Sequence, residues 1–465
     1  MLPSVFKAYD IRGVVPDELD AALAEAVGSA FASWTGAERV VVGRDMRPSG
    51  VELAAAFIEG ASSAGADVVD IGLASTDLLY FASGLLDAPG AMFTASHNPA
   101  RYNGIKLCRA GAAPVGQDSG LGAIGELALE RLGAPGDGGR GAQGKGSARS
   151  GRPTGKVTRQ DLLGAYVQHV RSFVDTAALR PLRVVADTAN GMGGLVVPAV
   201  FEGLAPSLEV LYAELDGTFP NHPADPIQPA NTAALRARVL EAGADVGLAF
   251  DGDADRVFVV DERAEGLSGS TTTALVAQAM LAKHPGATVL YNLICSHAVP
   301  EVIREAGGVP VRTRGGHSFI KAVMAETGAV FGGEHSGHYY FRDNYRADSG
   351  LIAALVVLER MSLTGEPLST LRRSLERYAD SGERNTEVSD PAAVIEAVAA
   401  HYAGAARLDR TDGLTVELED WWFNLRPSNT EPLLRLNLEA ADEASCRARV
   451  DELLDLVRSA AAAAR

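Results

Sequence analysis

A chain of 465 residues is longer than one hydrophobic core organises, so three or four domains of ordinary size are expected. With 47% hydrophobic and 22% charged residues it has a globular composition, and a net charge of −17 argues against nucleic acid or an anionic membrane as the main partner. An anionic ligand would need a locally basic cleft.

The N-terminus reads MLPSVFKAYDIRG, with no basic stretch leading into an apolar run, so no secretory signal is expected. Within it, Tyr9-Asp10-Ile11-Arg12-Gly13 sets a cation beside a glycine. Residues 59–72 (EGASSAGADVVDIG) pass from a helical pattern through Ala-Gly into a short apolar strand, and the same passage recurs at 238–252 and 302–316. Glycine just past a helix is the expected stop, and short Val-rich runs suit buried parallel strands. The repeat predicts three similar α/β layers, each a mostly parallel sheet with helical crossovers.

The apolar run Ala91-Met92-Phe93 ends in Thr94-Ala95-Ser96-His97-Asn98-Pro99. A strand ending in a polar turn exposes its last side chains at the carboxyl edge of a sheet, where open α/β folds bind ligands. Ser96 is there placed as a nucleophile or phosphoryl carrier, although Ser and Asn before Pro are also common turn residues. Asn103-Gly104-Ile105-Lys106 returns a lysine that a hairpin-like turn would bring back beside Ser96. From Leu132 to Gly155 the sequence is too rich in Gly, Ser and charge to bury anything, and reads as a loop near the first domain boundary.

Asp251-Gly252-Asp253-Ala254-Asp255-Arg256 lies between the strand candidates Val246–Phe250 and Val257–Val260. Alternate carboxylates converge only if the backbone turns, which Gly252 allows, and such a cluster repels itself without a cation. Asp251, Asp253, Asp255 and Glu262 also have EF-hand spacing, but Arg256 stands where that loop turns on glycine, and strands flank it. Three ligands with an open face suit Mg²⁺ shared with a phosphate. Arg314-Gly-Gly-His317-Ser-Phe-Ile-Lys321 precedes a helix. Gly332-Gly-Glu334-His335-Ser336-Gly-His338 follows a strand candidate and offers Glu334 and Ser336 to sugar hydroxyls; a zinc site at His335 and His338 lacks a third soft ligand.

After about residue 366 the pattern changes to a helix, the strand candidates Leu414–Leu418, Trp421–Leu425 and Leu433–Leu438, and a terminal helix, which suggests a smaller α+β domain with an antiparallel sheet. Between two of these strands, Arg426-Pro-Ser428-Asn429-Thr430-Glu-Pro432 collects donors suited to a phosphate. Cys108, Cys295 and Cys446 are far apart and odd in number, which suits a reducing cytoplasm.

In this order, YDIRG, TASHNP, DGDADR, GEHSGH and RPSNTEP resemble the motif series of the α-D-phosphohexomutase superfamily, closest to its phosphomannomutase/phosphoglucomutase branch. The resemblance implies three similar α/β domains and a C-terminal α+β domain around a central cleft. Its expected parts are 1–150 bearing the phosphoserine, 151–262 binding Mg²⁺, 263–366 reading the sugar, and 367–465 gripping phosphate. It implies that Ser96 carries the phosphoryl group and joins Asp251, Asp253 and Asp255 in holding one Mg²⁺. Lys106, Arg256 and His97 are then cations around the transferring group, with Lys106 and Arg12 helping in proton transfer. Tyr9, His317, Glu334 and Ser336 belong to the substrate, and Arg426, Ser428, Asn429 and Thr430 to the phosphate that is not being transferred.

The implied reaction exchanges the 1- and 6-phosphates of mannose or glucose through a 1,6-bisphosphate, with glucose 1,6-bisphosphate as activator. The partner is a small phosphosugar, with neither nucleic acid nor membrane expected. A phosphoglucosamine mutase is the nearest alternative. A metal-dependent phosphatase would leave Ser96 and the phosphate loop unexplained, and a non-catalytic binding protein would have no use for the reactive set.

Overall fold

The computed structural model describes residues 4–133, 153–427 and 433–463, arranged as four sheets with their helices. The first contains β1 (Ile11–Val14), β2 (Arg39–Arg44), β3 (Asp67–Leu73), β4 (Gly90–Phe93), β5 (Tyr102–Arg109), β6 (Ala113–Pro114) and β7 (Val157–Arg159). Their order is β1-β5-β4-β2-β3-β7, with β6 on β5. The centre is parallel, while β5 runs antiparallel to β1 and β4.

The second sheet holds β8 (Arg183–Asp187), β9 (Ser207–Leu211), β10 (Val246–Phe250) and β11 (Val257–Asp261) in the order β11-β10-β8-β9. The third holds β12 (Thr288–Asn292), β13 (Val309–Thr313), β14 (Phe331–Gly333) and β15 (Tyr339–Phe341) in the order β13-β12-β14-β15. Each is parallel apart from one antiparallel edge strand, β11 or β15. The repeated strands of the sequence are β3, β10 and β13, each parallel to a neighbour. The glycine before each has a positive φ, 94° at Gly65, 57° at Gly243 and 78° at Gly307, a conformation costly to residues with a Cβ.

The last sheet is wholly antiparallel: β16 (Ala379–Asp380), β17 (Arg384–Glu387), β18 (Arg407–Asp409), β19 (Leu414–Glu417), β20 (Trp421–Pro427) and β21 (Leu433–Ala440). Leu453 and Val457 of the terminal helix Glu443–Ala463 are buried in its core. The first sheet reaches past residue 150, because β7 pairs with the edge of β3. Leu368, Leu371 and Leu375 lie in the core shared by the preceding sheets, so residue 366 is also passed: an apolar helix face stays with the surface that buries it. Most of the glycine-rich stretch 132–155 lies outside the described residues. Among those described, no helix is long and apolar enough to cross a membrane.

Candidate active site

Ser96 sits in the turn after β4, at the carboxyl edge of the first sheet. Its backbone is left-handed, with φ of 51°, and it is 5% exposed. The Oγ donates to Asp251 Oδ2 at 2.7 Å and accepts from Arg256 Nη2 at 3.1 Å. The Ser96 hydroxyl is thus one of the points at which the first domain meets the second.

Asp251, Asp253 and Asp255 follow β10, are essentially inaccessible to solvent, and bring ligand oxygens within 4.8 Å of one another. The left-handed position in their turn is Ala254, φ 60°, rather than the expected Gly252. Gly252 is required for another reason: a Cβ there would stand 2.4 Å from the Ser96 carbonyl oxygen. Gly252→Ala is therefore expected to displace the serine turn and lower kcat about 100-fold, with KM nearly unchanged, in steady-state assays on folded enzyme.

Fixed donors occupy one oxygen of Asp253 and of Asp255. Thr76 Oγ1 donates to Asp253 Oδ2 at 2.6 Å, and Lys106 Nζ to Asp253 Oδ2 at 2.8 Å and Asp255 Oδ2 at 2.7 Å. Asp253 Oδ1 and Asp255 Oδ1 are buried without a hydrogen-bond partner. Burial pushes Asp251 up to about 7, against the pull of Arg256, and raises Asp255 as well. Burial also opposes the charge on Asp253, but Lys106 outweighs it and holds this carboxyl below its ordinary range. Orphaned, crowded carboxylate oxygens fit a hard divalent cation. Glu262 turns away to Ser369, which leaves no EF-hand.

The flanking groups are cationic. Arg256 Nε donates to Asp251 Oδ2 at 2.9 Å, and its Nη2 also meets His97 Nδ1. The Arg256 charge, and burial after it, hold His97 far below its ordinary value, so its ring is neutral. Lys106 points to the carboxylates rather than at Ser96; burial works against its charge, yet Asp253 and Asp255 raise its pKa well above normal. Arg12 pairs with Asp10 and donates to Asn98 Oδ1 at 2.8 Å, which ties the N-terminal motif to the serine turn. A cleft of about 1450 Å³ opens beside Arg12, His97 and Asn98. Among its described lining residues, Lys7, Arg12, Arg109, Arg314, Lys321 and Arg346 outnumber Asp10, Glu18 and Asp118, so it is basic in an acidic protein.

Tyr9 packs edge-on against His317 at 5.5 Å between ring centres. His317 begins the helix His317–Thr327, is pushed down to about 3 by burial, and has a partnerless Nδ1. Glu334 accepts from Gly316 N at 2.9 Å and from the Tyr340 hydroxyl at 2.7 Å, so both its oxygens already have protein donors. Ser336 lies half-buried in the turn after β14. Arg426, at the end of β20, is 3.3 Å from Glu383 of the same domain and is not among the described residues that line the cleft. Ser428, Asn429 and Thr430 lie outside the described residues.

The sequence motifs give no part to Thr76, Asp348, Asp45 or Arg47, and His338 enters them only in the zinc pair that lacks a third ligand. His338 Nδ1 is 2.8 Å from Asp348 Oδ2 and 3.9 Å from Asp255 Oδ1, whereas His335 faces Ser270. Thr76 follows β3, and Asp45 and Arg47 follow β2, so the carboxyl-edge rule that drew attention to Ser96 would have found them too. His297 stacks on Trp422 at 5.1 Å between the third and last sheets, away from the carboxylates.

Four family descriptions match the chain. They are phosphoglucomutase/phosphomannomutase alpha/beta/alpha domain I over residues 3–127, domain II over 164–266, domain III over 268–378, and the C-terminal domain over 383–456. The chain belongs to this family. Relatives of the phosphoglucomutase/phosphomannomutase family include a protein named "Phosphohexose mutases" from Xanthomonas campestris, 40% identical over 97% of this chain and 99% of its own length. A phosphomannomutase of Escherichia coli K12 is 38% identical over 97% of this chain and 98% of its own. The crystal structure of a phosphoglucomutase/phosphomannomutase family protein from Burkholderia thailandensis superposes with a TM-score of 0.87 and 33% identity, covering 99% of this chain and 98% of the other. Family membership makes the protein an enzyme, a phosphotransferase.

Proposed function

We propose that this hexose-phosphate mutase interconverts the 1- and 6-phosphates of mannose, glucose or both, carrying the phosphoryl group on Ser96. The observation that carries the reading is the Ser96 hydroxyl, 2.7 Å from Asp251 and 3.1 Å from Arg256, at the meeting of two domains. A serine for simple structural use has no need of a neighbouring triad of buried carboxylates with unpaired oxygens.

In the first half-reaction a free sugar hydroxyl attacks the phosphorus on Ser96. The Oγ–phosphorus bond breaks, a sugar oxygen–phosphorus bond forms, and the hydroxyl proton passes to a base in the cleft. The hexose 1,6-bisphosphate then turns over and returns its other phosphate to Ser96. Glucose 1,6-bisphosphate would serve as activator by charging Ser96. Asp251, Asp253 and Asp255, with the phosphorylated Ser96, would hold Mg²⁺, which neutralises charge on the phosphoryl group. Arg256 adds a fixed cation beside Oγ, and Lys106 braces Asp253 and Asp255 through one oxygen each, leaving their Oδ1 atoms without a protein donor. Arg12, held by Asn98, would assist proton movement. Arg426 with Ser428, Asn429 and Thr430 would grip the idle phosphate in both sugar orientations, while Tyr9, His317, Glu334 and Ser336 read the sugar. The cleft must close to keep water from the phosphoserine. The three cysteines are free and buried, which supports a cytoplasmic setting.

Phosphorus NMR with Mg²⁺, a trace of glucose 1,6-bisphosphate, and mannose or glucose 1-phosphate in separate tubes tests the reading. Growth of the 6-phosphate signal supports it and ranks the sugars; free phosphate alone would point to a phosphatase. Arg426→Ala is expected to raise KM for both sugar phosphates about 10- to 100-fold, as loss of a charge-assisted phosphate contact should. Unchanged KM for both would remove Arg426 from the phosphate grip.

A further inference from the structure

Arg47 is fully buried, yet neither the carboxylate cluster nor the cleft uses it. All five of its guanidinium N–H groups have acceptors. Nε donates to Asp45 Oδ2 at 3.1 Å. Nη2 donates to the carbonyl oxygens of Ser96 at 2.8 Å and Asn98 at 2.7 Å, and Nη1 to those of Pro99 and Tyr102, both at 2.9 Å. One side chain therefore holds the whole turn from Ser96 to Tyr102 from beneath.

We infer that Arg47 is a positioning residue for phosphoryl transfer, an inference that rests on Ser96 as the phosphoryl carrier. Ser96 occupies a left-handed conformation that a residue with a Cβ adopts only when its surroundings impose it. The Ser96 carbonyl is the constrained atom, bonded to Arg47 on one side and closed off by Gly252 on the other. Rotation of that peptide would carry Oγ away from Asp251 and Arg256. The same guanidinium holds the Asn98 carbonyl, and the Asn98 side chain holds Arg12, so Arg47 sets both the nucleophile and the neighbouring cation.

The second domain completes the arrangement. The Phe219 ring lies 5.1 Å from the Arg47 guanidinium carbon, and a Cβ on Gly217 would come within 2.6 Å of the Arg47 Cα. Domain contact thereby covers the Arg47 side chain, which has no exposed surface. Lysine cannot replace it, because an ammonium has three donors for five acceptors.

The test is Arg47→Lys, with Asp45→Asn as a second variant of unchanged shape should the lysine variant fold poorly. Enzyme is charged with phosphorus-labelled glucose 1,6-bisphosphate, freed of excess, and mixed with hexose 1-phosphate or buffer alone. Phosphoryl transfer to sugar should slow about 100-fold in Arg47→Lys, the cost expected of roughly an ångström of misplacement. The slowing should be smaller in Asp45→Asn. Loss of label to water should change far less, and hexose phosphate affinity, measured by calorimetry in a Ser96→Ala background, should stay within about threefold. Transfer at the wild-type rate per folded molecule, with only a lowered melting temperature, would overturn the positioning role and leave Arg47 as a stabiliser. Wild-type enzyme that takes up no label would overturn the Ser96 reading, and with it this one.

Discussion

Ser96→Ala is expected to fold and to bind hexose monophosphate without turning it over. The hydroxyl is the atom to which the phosphoryl group would be bonded, so its removal should lower kcat by more than about 10³-fold. Folding should hardly change. Alanine meets the same left-handed backbone cost as serine, so no new strain is introduced. Asp251 Oδ2 keeps its 2.9 Å bond from Arg256 Nε, and Arg256 Nη2 keeps His97, so no buried charge loses its last partner. A circular-dichroism melt should shift by no more than a few degrees, while labelled glucose 1,6-bisphosphate should leave no phosphate on the protein. Steady turnover by this variant would defeat the covalent route.

Mg²⁺ should stabilise the folded chain, and Asp253→Asn should largely remove that effect. Three carboxylates within 4.8 Å repel one another, and a cation at the free Oδ1 atoms of Asp253 and Asp255 would add to the relief that Lys106 and Arg256 give. A ligand that binds only the native state, present at about 100 times its dissociation constant, stabilises by about 2.7 kcal/mol. Chelation should therefore lower the wild-type melting temperature and end turnover, both restored by Mg²⁺. In Asp253→Asn one charged oxygen pair is lost and Lys106 keeps only Asp255 as its ion partner. The melting temperature of that variant should respond weakly to Mg²⁺, and kcat should fall by about 100-fold or more at saturating sugar phosphate. A wild-type melting temperature indifferent to both chelator and Mg²⁺ would remove the metal from the carboxylates.

The parts of the fold that depend on local rules are legible in the sequence. Helix, glycine and Val-rich strand recur at 59–72, 238–252 and 302–316 because each strand is buried on a sheet and each helix must stop, and the glycines there do adopt left-handed φ. The carboxylates and Ser96 stood out for a similar reason: their chemistry is concentrated in a few adjacent residues at strand ends. Lys106 was expected beside Ser96. The hairpin of β4 and β5 does form, but the lysine goes to Asp253 and Asp255, a preference decided by two carboxylates far away in the chain.

Local pattern in this sequence thus determined the α/β class, the antiparallel character of the last domain and the residues able to do chemistry, because periodicity, turn residues and charge act over a few positions. Tertiary structure alone decided which of them meet. The Ser96–Asp251 bond spans 155 positions, and the contact between Arg47 and the serine turn spans about fifty. No local propensity encodes such pairs; they arise when domains pack and buried polar atoms must find partners. The same demand explains why Gly252 proved necessary for the Ser96 carbonyl rather than for its own turn, and why β7 returned to the first sheet after the expected boundary.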